Sequence, residues 1–370
     1  MSVGAAGDYE VRLATAADEP EVRALVGSVA MPGAVAIRFA REPDYFLGAT
    51  IMGDPCDVVI VRDRATGRLA GFGCRAERRA FVNGREQRIG YLGQIRAAEA
   101  YRGRWLLARA LAWLREAGHD DLLYCGVVAG ENPRAREVLV GRRPPGGMRR
   151  TRLAGLTTCA ILLRPRRRPA APGLDVEPAG PDDLADVVAF LRREGPRRQL
   201  FPAYALGDIA GGTALRGLVP GDLAVARRRG AIVGVMAAWD QGAYKQDIVD
   251  AYGPTLRRLR PAWDLAARAL RAAPLTPPGR AIPLAFTAMI CVARDDPETM
   301  RALVAACAER ARAQGKAFLM LGLADEDPLL AVARRWLHVT YRSDLFALSW
   351  REEPAAVLDG RTPYVEIATL

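Results

Sequence analysis

Apolar residues recur along this chain with two periods, and the stretch from Ile89 to Gly118, IGYLGQIRAAEAYRGRWLLARALAWLREAG, carries both. Ile89, Tyr91, Leu92 and Ile95 form an apolar run of strand length, whereas Leu106, Leu107, Leu111 and Leu114 recur at helical spacing. Between them, Tyr101-Arg102-Gly103-Arg104 sets two guanidinium groups at a helix N-terminus, where free N–H groups and the helix dipole favour an anion. The pattern predicts a buried strand, a basic turn and an amphipathic helix. A phosphate-bearing ligand is the functional expectation, with a plain basic turn of an α/β unit as the alternative.

The remaining segments fall around that unit. Tyr9 to Ala14 alternates as a strand, and Thr15 with Asp18 and Glu19 opens a helix through Val22, Leu25 and Val29. A second helix is predicted from Val35 through Phe39 and Tyr45 towards Ile51. Cys56 to Arg62 and Leu69 to Arg75 read as a hairpin, and Asn83-Gly84 as a turn returning the chain into the opening strand. After Gly118 come a strand from Leu122 to Val128, a helix capped by Asn132-Pro133, a basic Pro/Gly loop from Gly141 to Arg152 and a strand from Leu156 to Leu163. Residues 166–173 have linker composition, dividing an N-terminal domain (1–165) from a second one (174–352). The second half repeats the order: a strand from Leu174 to Glu177, a helix from Pro181 to Glu194, a hairpin from Leu223 to Arg227 and Ala231 to Trp239, a strand from Ile282 to Val292, a helix from Asp296 to Gly315, a strand from Ala317 to Leu323, a helix from Pro328 to Trp336 and a final strand from Leu345 to Trp350. Asp247 to Ala273 reads as an insertion, largely helical and broken by Pro254 and Pro261. The apolar tail, residues 353–370, is expected to pack as a strand. Two copies of one α/β (α+β) plan are the simplest account.

Composition narrows the function classes. At 370 residues the chain exceeds a single typical core. No apolar run approaches the roughly 20 residues of a membrane span, and the start shows no basic and apolar leader pattern, so a cytoplasmic location with no membrane partner is expected. The net charge is +11, yet Lys245 and Lys316 are the only lysines and the basic surplus is spread arginine, which argues poorly for nucleic acid. The six cysteines form no CxxC pair and read as reduced core residues. With only His119 and His338, neither a histidine metal site nor a Ser-His-Asp arrangement is expected, and no metal is assigned.

The order of strands, helices, Arg-Gly loop and Asn-capped helix over Tyr9 to Pro165 resembles the GCN5-related N-acetyltransferase (GNAT) superfamily, and Leu174 to Trp350 looks like a second, diverged copy, as in tandem-GNAT bacterial proteins. The resemblance implies two mixed, mostly antiparallel twisted sheets flanked by helices, and an acyl-CoA-dependent N-acyltransferase using acetyl-CoA or another acyl-CoA. It implies that the strand backbone from Gln94 through Ile95 to Ala97 binds the pantetheine arm and acyl oxygen. The pyrophosphate loop corresponds to Arg102, Gly103, Arg104, Trp105, Leu106 and Leu107. Arg102 matches the family pattern, whereas Trp105 and Leu107 stand where it has small residues that let backbone approach phosphate. Asn132 begins the helix beside the CoA arm, and Leu139 occupies the place of the usual tyrosine acid. In the second copy, Ala293 to Glu298 is acidic where a pyrophosphate would sit.

Acyl transfer needs a polarised carbonyl and a group that takes the amine proton. Glu99 and Glu131 are the candidate bases, each equally readable as a surface or capping carboxylate, and Tyr124 and Tyr91 are candidate acids equally readable as core. A sharper expectation places Glu366 or the Leu370 carboxylate in the first domain's cleft. Trp239 to Gln241 and Tyr244 to Asp247 either line an acceptor pocket or form a solvated loop. Three readings stay open: an N-acyltransferase acting on a small-molecule or peptide amine, a transferase taking its acyl group from a donor such as aminoacyl-tRNA, and a non-catalytic binding module. The acceptor and the oligomeric state carry no sequence signal.

Overall fold

The computed structural model describes residues 8–31, 33–130, 145–165 and 171–370. In the first half lie β1 (Tyr9–Leu13), β2 (Ala30–Met31), β3 (Val35–Ala40), β4 (Cys56–Asp63), β5 (Leu69–Val82), β6 (Arg85–Ala97), β7 (Tyr124–Ala129) and β8 (Arg149–Leu162). The second half supplies β9 (Asp175–Pro178), β10 (Phe201–Pro202), β11 (Leu223–Arg228), β12 (Ala231–Trp239), β13 (Gln246–Tyr252), β14 (Leu284–Val292), β15 (Phe318–Ala324) and β16 (His338–Ser349). The principal helices are α1 (Glu19–Gly27), α2 (Tyr45–Ala49), α3 (Leu106–Glu116), α4 (Leu184–Glu194), α5 (Pro254–Leu270) and α6 (Pro297–Ala313).

The two halves share one sheet because they exchange their last strands. Its order is β1-β4-β5-β6-β7-β16-β8-β15-β14-β12-β11-β9, mixed and mostly antiparallel, so β16 closes the first half against β7 while β8 closes the second against β15. β16 and β8 pair with each other from His338↔Ile161 to Ser349↔Arg149. Two smaller links reinforce the join: β10 pairs β5, and β13 pairs β3 in a separate three-stranded sheet with β2.

Each element follows from its side chains. Val58 to Val61 is a β-branched run buried on both faces, and the strand Leu284–Val292 is buried almost throughout, as strands covered by helices require. Leu106, Leu111 and Leu114 form the buried stripe of α3. Asp296 caps α6 by accepting hydrogen bonds from the N–H groups of Glu298 and Thr299.

Four expectations are corrected. Val35–Ala40 is a strand rather than the start of a helix: VAIRFA alternates, and Gln246–Tyr252 offers it a ladder that no local signal reveals. That same partner strand replaces the beginning of the expected helical insertion. Beyond it α5 runs unbroken, with Pro254 in its first turn and Pro261 in its interior. The segment expected as a helix from Pro328 is helical only over Leu330–Ala333. The tail is buried as its apolar residues demand, but it is no strand: it makes one bridge, Gln199↔Pro363, and ends in a 3-10 turn over Ile367–Thr369.

The tail is anchored by a buried carboxylate. Glu366 is 1 % exposed, and its Oε2 accepts hydrogen bonds from Met289 N at 2.8 Å, Tyr204 Oη at 2.9 Å and Tyr364 Oη at 3.0 Å. Glu366→Ala is expected to lower unfolding stability by about 1–3 kcal/mol, because it leaves an amide and two hydroxyls buried without an acceptor. Glu366→Gln is expected to recover most of that loss. Denaturant unfolding of the two variants checks both outcomes.

Candidate functional site

The first half contains an opening in the sheet. β6 and β7 are parallel and pair only at Gly90↔Tyr124 and Tyr91↔Cys125, after which β6 continues to Ala97 and β7 to Ala129 without a shared ladder. Inside the opening β6 carries a bulge: Phe72 faces Arg96 and Cys74 faces Gly93, so Gly73 opposes both Gln94 and Ile95. Gln94 takes φ of 54°, the left-handed region that re-aims a strand's backbone. From the bulge the chain runs through a 3-10 turn, Glu99–Tyr101, and the loop Arg102-Gly103-Arg104-Trp105 into the N-terminus of α3, whose first-turn amides have no partner within the helix.

The expected cofactor residues lie along this path. Ile95 is exposed, Ala97 pairs with Gly71, and Gly103 has φ of 80° with open space around it. Arg102 is exposed and lies 3.7 Å from Glu99, while the Arg104 guanidinium sits 5.8 Å from the Tyr101 ring centre. Trp105 is 73 % exposed and left-handed, with φ of 58°, so the indole points to solvent and does not seal the loop. Leu106 is buried against Val61 and Ala70, and Leu107 is partly buried under the helix. Their bulk is absorbed by the core. Asn132 and Glu131 fall outside the described residues.

The acid-base candidates do not gather here. The Glu99 side chain is 90 % exposed. Tyr124 sits at the closed end of the opening, where its hydroxyl donates to His119 O at 2.7 Å and accepts from Arg75 Nε at 3.1 Å; burial pushes its pKa up. Burial does the same to Tyr91, whose ring carries the Arg78 guanidinium at 5.6 Å.

A narrow cavity of about 10 Å³, room for a water molecule, adjoins the bulge, lined by Arg41, Tyr45, Gly48, Ala49, Ile51, Met52, Gln94 and Leu370. Tyr45 Oη and Cys74 Sγ are 3.0 Å apart behind it. Residues 244–247, open in the sequence between loop and pocket, do not form an exposed loop: Tyr244 and Lys245 are buried, and Lys245 Nζ donates to Ala368 O at 2.9 Å while lying 4.3 Å from the Phe286 ring centre. Burial, aided by the nearby Arg41 charge, pushes Lys245 down to about 7. Burial pushes Asp247 up against the pull of Lys245 and Arg41. Arg41 and Arg96 were not singled out in the sequence, where each is one arginine among many. Only the fold shows that one is 5 % exposed and the other lies across the Phe39 ring at 5.9 Å.

The second half repeats the bulge and fills it. Val235 faces Cys291 and Ala237 faces Ala288, leaving Met289 and Ile290 opposite Met236, again with φ of 54° at Met289. Here the tail occupies the strand's backbone: Glu366 takes Met289 N–H and Tyr364 Oη takes Ile290 N–H at 3.1 Å. Glu366 therefore sits on the second bulge and not in the first domain's cleft. The acidic loop beside it is also engaged, Asp295 by Arg198 at 2.7 Å and by Arg197 at 2.9 Å.

Because the neutral form of Lys245 suits burial, folding releases its proton between about 7 and the ordinary lysine pKa. Stability rises with pH across that window, and below it the full cost of burying the ammonium is present. Melting temperatures between pH 6 and 9 are expected to climb more steeply in the wild type than in Lys245→Met. The difference between the two curves isolates this group.

No protein-family model and no curated protein matches the sequence. Solved structures do match. The chain is similar to Saccharomyces cerevisiae N-myristoyltransferase with bound myristoyl-CoA (11% identity, TM-score 0.60, covering 95% of this chain and 85% of that one). It is similar to a GCN5-related N-acetyltransferase from Sphaerobacter thermophilus (12% identity, TM-score 0.53, 98% of each chain). A third likeness is to a GCN5-related glucosamine N-acetyltransferase region in a fungal multi-domain beta-N-acetylglucosaminidase (16% identity, TM-score 0.59, 93% of this chain and 38% of that one). At these identities the likeness is one of fold.

Proposed function

We propose that this chain, which has the GNAT fold, is an acyl-CoA-dependent N-acyltransferase whose single site is the open bulge of the first half. The observation that carries the reading is the contrast between the twin bulges. In the second half, Glu366 and Tyr364 take the strand amides. In the first, the strand beyond Gln94 leads directly to a basic loop at a helix N-terminus. One continuous path thus offers backbone for a pantetheine arm, and amides and Arg102 with Arg104 for a pyrophosphate.

In this reading the amine attacks the thioester carbonyl directly, the C–S bond breaks, and the thiolate leaves with CoA. Preorganised backbone N–H at the bulge polarises the carbonyl oxygen. The likeness to N-acetyltransferase and N-myristoyltransferase structures supports acyl transfer as a class. Acetyl-CoA is the first donor to test, with longer acyl-CoAs beside it.

Calorimetry with acetyl-CoA and longer acyl-CoAs is expected to give one site per chain, and no heat from any of them overturns the proposal. Arg102→Glu combined with Arg104→Glu should weaken binding at least ten-fold. Trp105→Gly removes a left-handed side chain that costs about 1 kcal/mol, so it should leave the melting temperature unchanged or higher and bind CoA no less tightly.

A further inference from the structure

The second half makes one excursion that the first lacks. In the first half β5 turns directly into β6 at Asn83-Gly84, whereas between β12 and β14 the chain leaves the shared sheet, pairs β13 with β3 and lays down α5 before it returns. α5 is 17 residues long, yet Ala267 is its one buried residue. A single stripe of it is seated on the excursion itself: the Arg260 guanidinium lies 5.9 Å from the Tyr252 ring centre, and Asp264 accepts a hydrogen bond from Leu275 N at 3.2 Å. The shared sheet has no need of so exposed a helix.

The open part of α5 is patterned. Leu259, Ala262, Ala266 and Leu270 recur at steps of three and four residues and form one stripe, with Leu265 and Ala269 beside it. Leu259, Leu265 and Leu270 are 55 %, 68 % and 37 % exposed, and the three alanines are open to solvent with them. Single exposed leucines are ordinary on a soluble protein, but three on one helix face make a patch. Arginines border it: Arg258 precedes Ala262 and Leu265 on the same face, Arg268 follows Leu265 by one turn, Arg257 lies next to Arg258 and Arg271 ends the helix. All four are exposed, and among the described residues none has a carboxylate within 4.0 Å; Asp264 lies 3.8 Å from Arg260 instead.

The charge decides what covers this face. A second copy of the chain, docked about a two-fold axis, would set the same arginines against one another. A groove on a protein partner takes large anchors at the middle of a stripe, and here the middle is Ala262 and Ala266. A lipid surface requires neither a cleft nor a central anchor. Leucines and alanines enter the boundary of the acyl chains, while arginine stems lie along it and carry their guanidiniums out to the headgroup phosphates.

We propose that α5 is a peripheral docking element that lies flat on an anionic lipid surface, with Leu259, Leu265 and Leu270 inserted and Arg257, Arg258, Arg268 and Arg271 on the headgroups. The contact is with the surface only, since no helix among the described residues is long and apolar enough to cross a membrane. It stands apart from the acyltransferase reading and uses none of that site's residues.

The test is sedimentation of the full chain with vesicles of phosphatidylcholine alone and of phosphatidylcholine mixed with phosphatidylglycerol, at low and high salt. Partitioning onto the mixed vesicles is expected to exceed that onto the neutral ones at least ten-fold and to weaken as salt rises. Leu259→Ser combined with Leu265→Ser should lower it at least ten-fold without moving the melting temperature. Arg258→Gln combined with Arg268→Gln should lower it several-fold and flatten its salt dependence, whereas Arg312→Gln combined with Arg335→Gln, two exposed arginines elsewhere, should leave it unchanged. If the serine pair impairs folding, Leu265→Ala alone carries the comparison. Equal binding to both vesicle types, no binding to either, binding that survives the leucine substitutions, or an equal loss from the distant arginine pair overturns the proposal. A dimer in vesicle-free solution that the serine pair dissociates also overturns it and gives the face to a second copy.

Discussion

An opening inside a β-sheet can exist only if the strands beside it keep their hydrogen bonds elsewhere, and here the exchanged strand supplies them. β7 loses contact with β6 after two pairs, which would leave its remaining amides and carbonyls exposed on one edge and unsupported. β16 secures the other edge along all of Tyr124–Ala129, from Leu348↔Tyr124 to Ser343↔Ala129. The opening that leads to the bulge is therefore held from the second half of the chain. β13 is likewise placed against β3, a second join between the halves.

The twin bulges are used in opposite ways. Both strands have the backbone twist that exposes amides, and both meet a loop and a helix beyond it. The second is met by residues of the chain itself, with a carboxylate on one bulge amide and a tyrosine hydroxyl on the next. Its loop's Asp295 is paired within the chain to Arg197 and Arg198. The tail then crosses to the first bulge, where Leu370 forms part of the cavity wall. One half has become the frame on which the other is held open.

The sequence revealed what is local and concealed what is shared. The strand, basic turn and helix from Ile89 to Gly118 were legible because apolar spacing sets period and length within a single segment, and the structure places β6, the loop and α3 on them. The second half's repetition was legible for the same reason. The exchanged strands were only half visible: Leu156 to Leu163 and Leu345 to Trp350 read as strands, but Arg149 to Gly155 and His338 to Asp344 did not. Those parts pair across the two halves and keep Val339 and Tyr341 exposed, so their periodicity reports no single core. Val35–Ala40 was misread because its partner lies more than two hundred residues away. Arg41 could not be separated from the other arginines, since what distinguishes it is its burial, a property of the assembled fold.

The strand exchange also fixes an order of events during synthesis. β8 emerges long before β15 and β16 exist, and at about 5–20 residues per second the wait is of the order of tens of seconds. Until then β7 and β8 are free edges rich in valine, leucine and isoleucine, the kind of template that recruits another chain. The nascent first half cannot complete itself, however well its own core packs. The last sixty residues act as a lock for a structure begun at the other end: they carry the strand that finishes its neighbour.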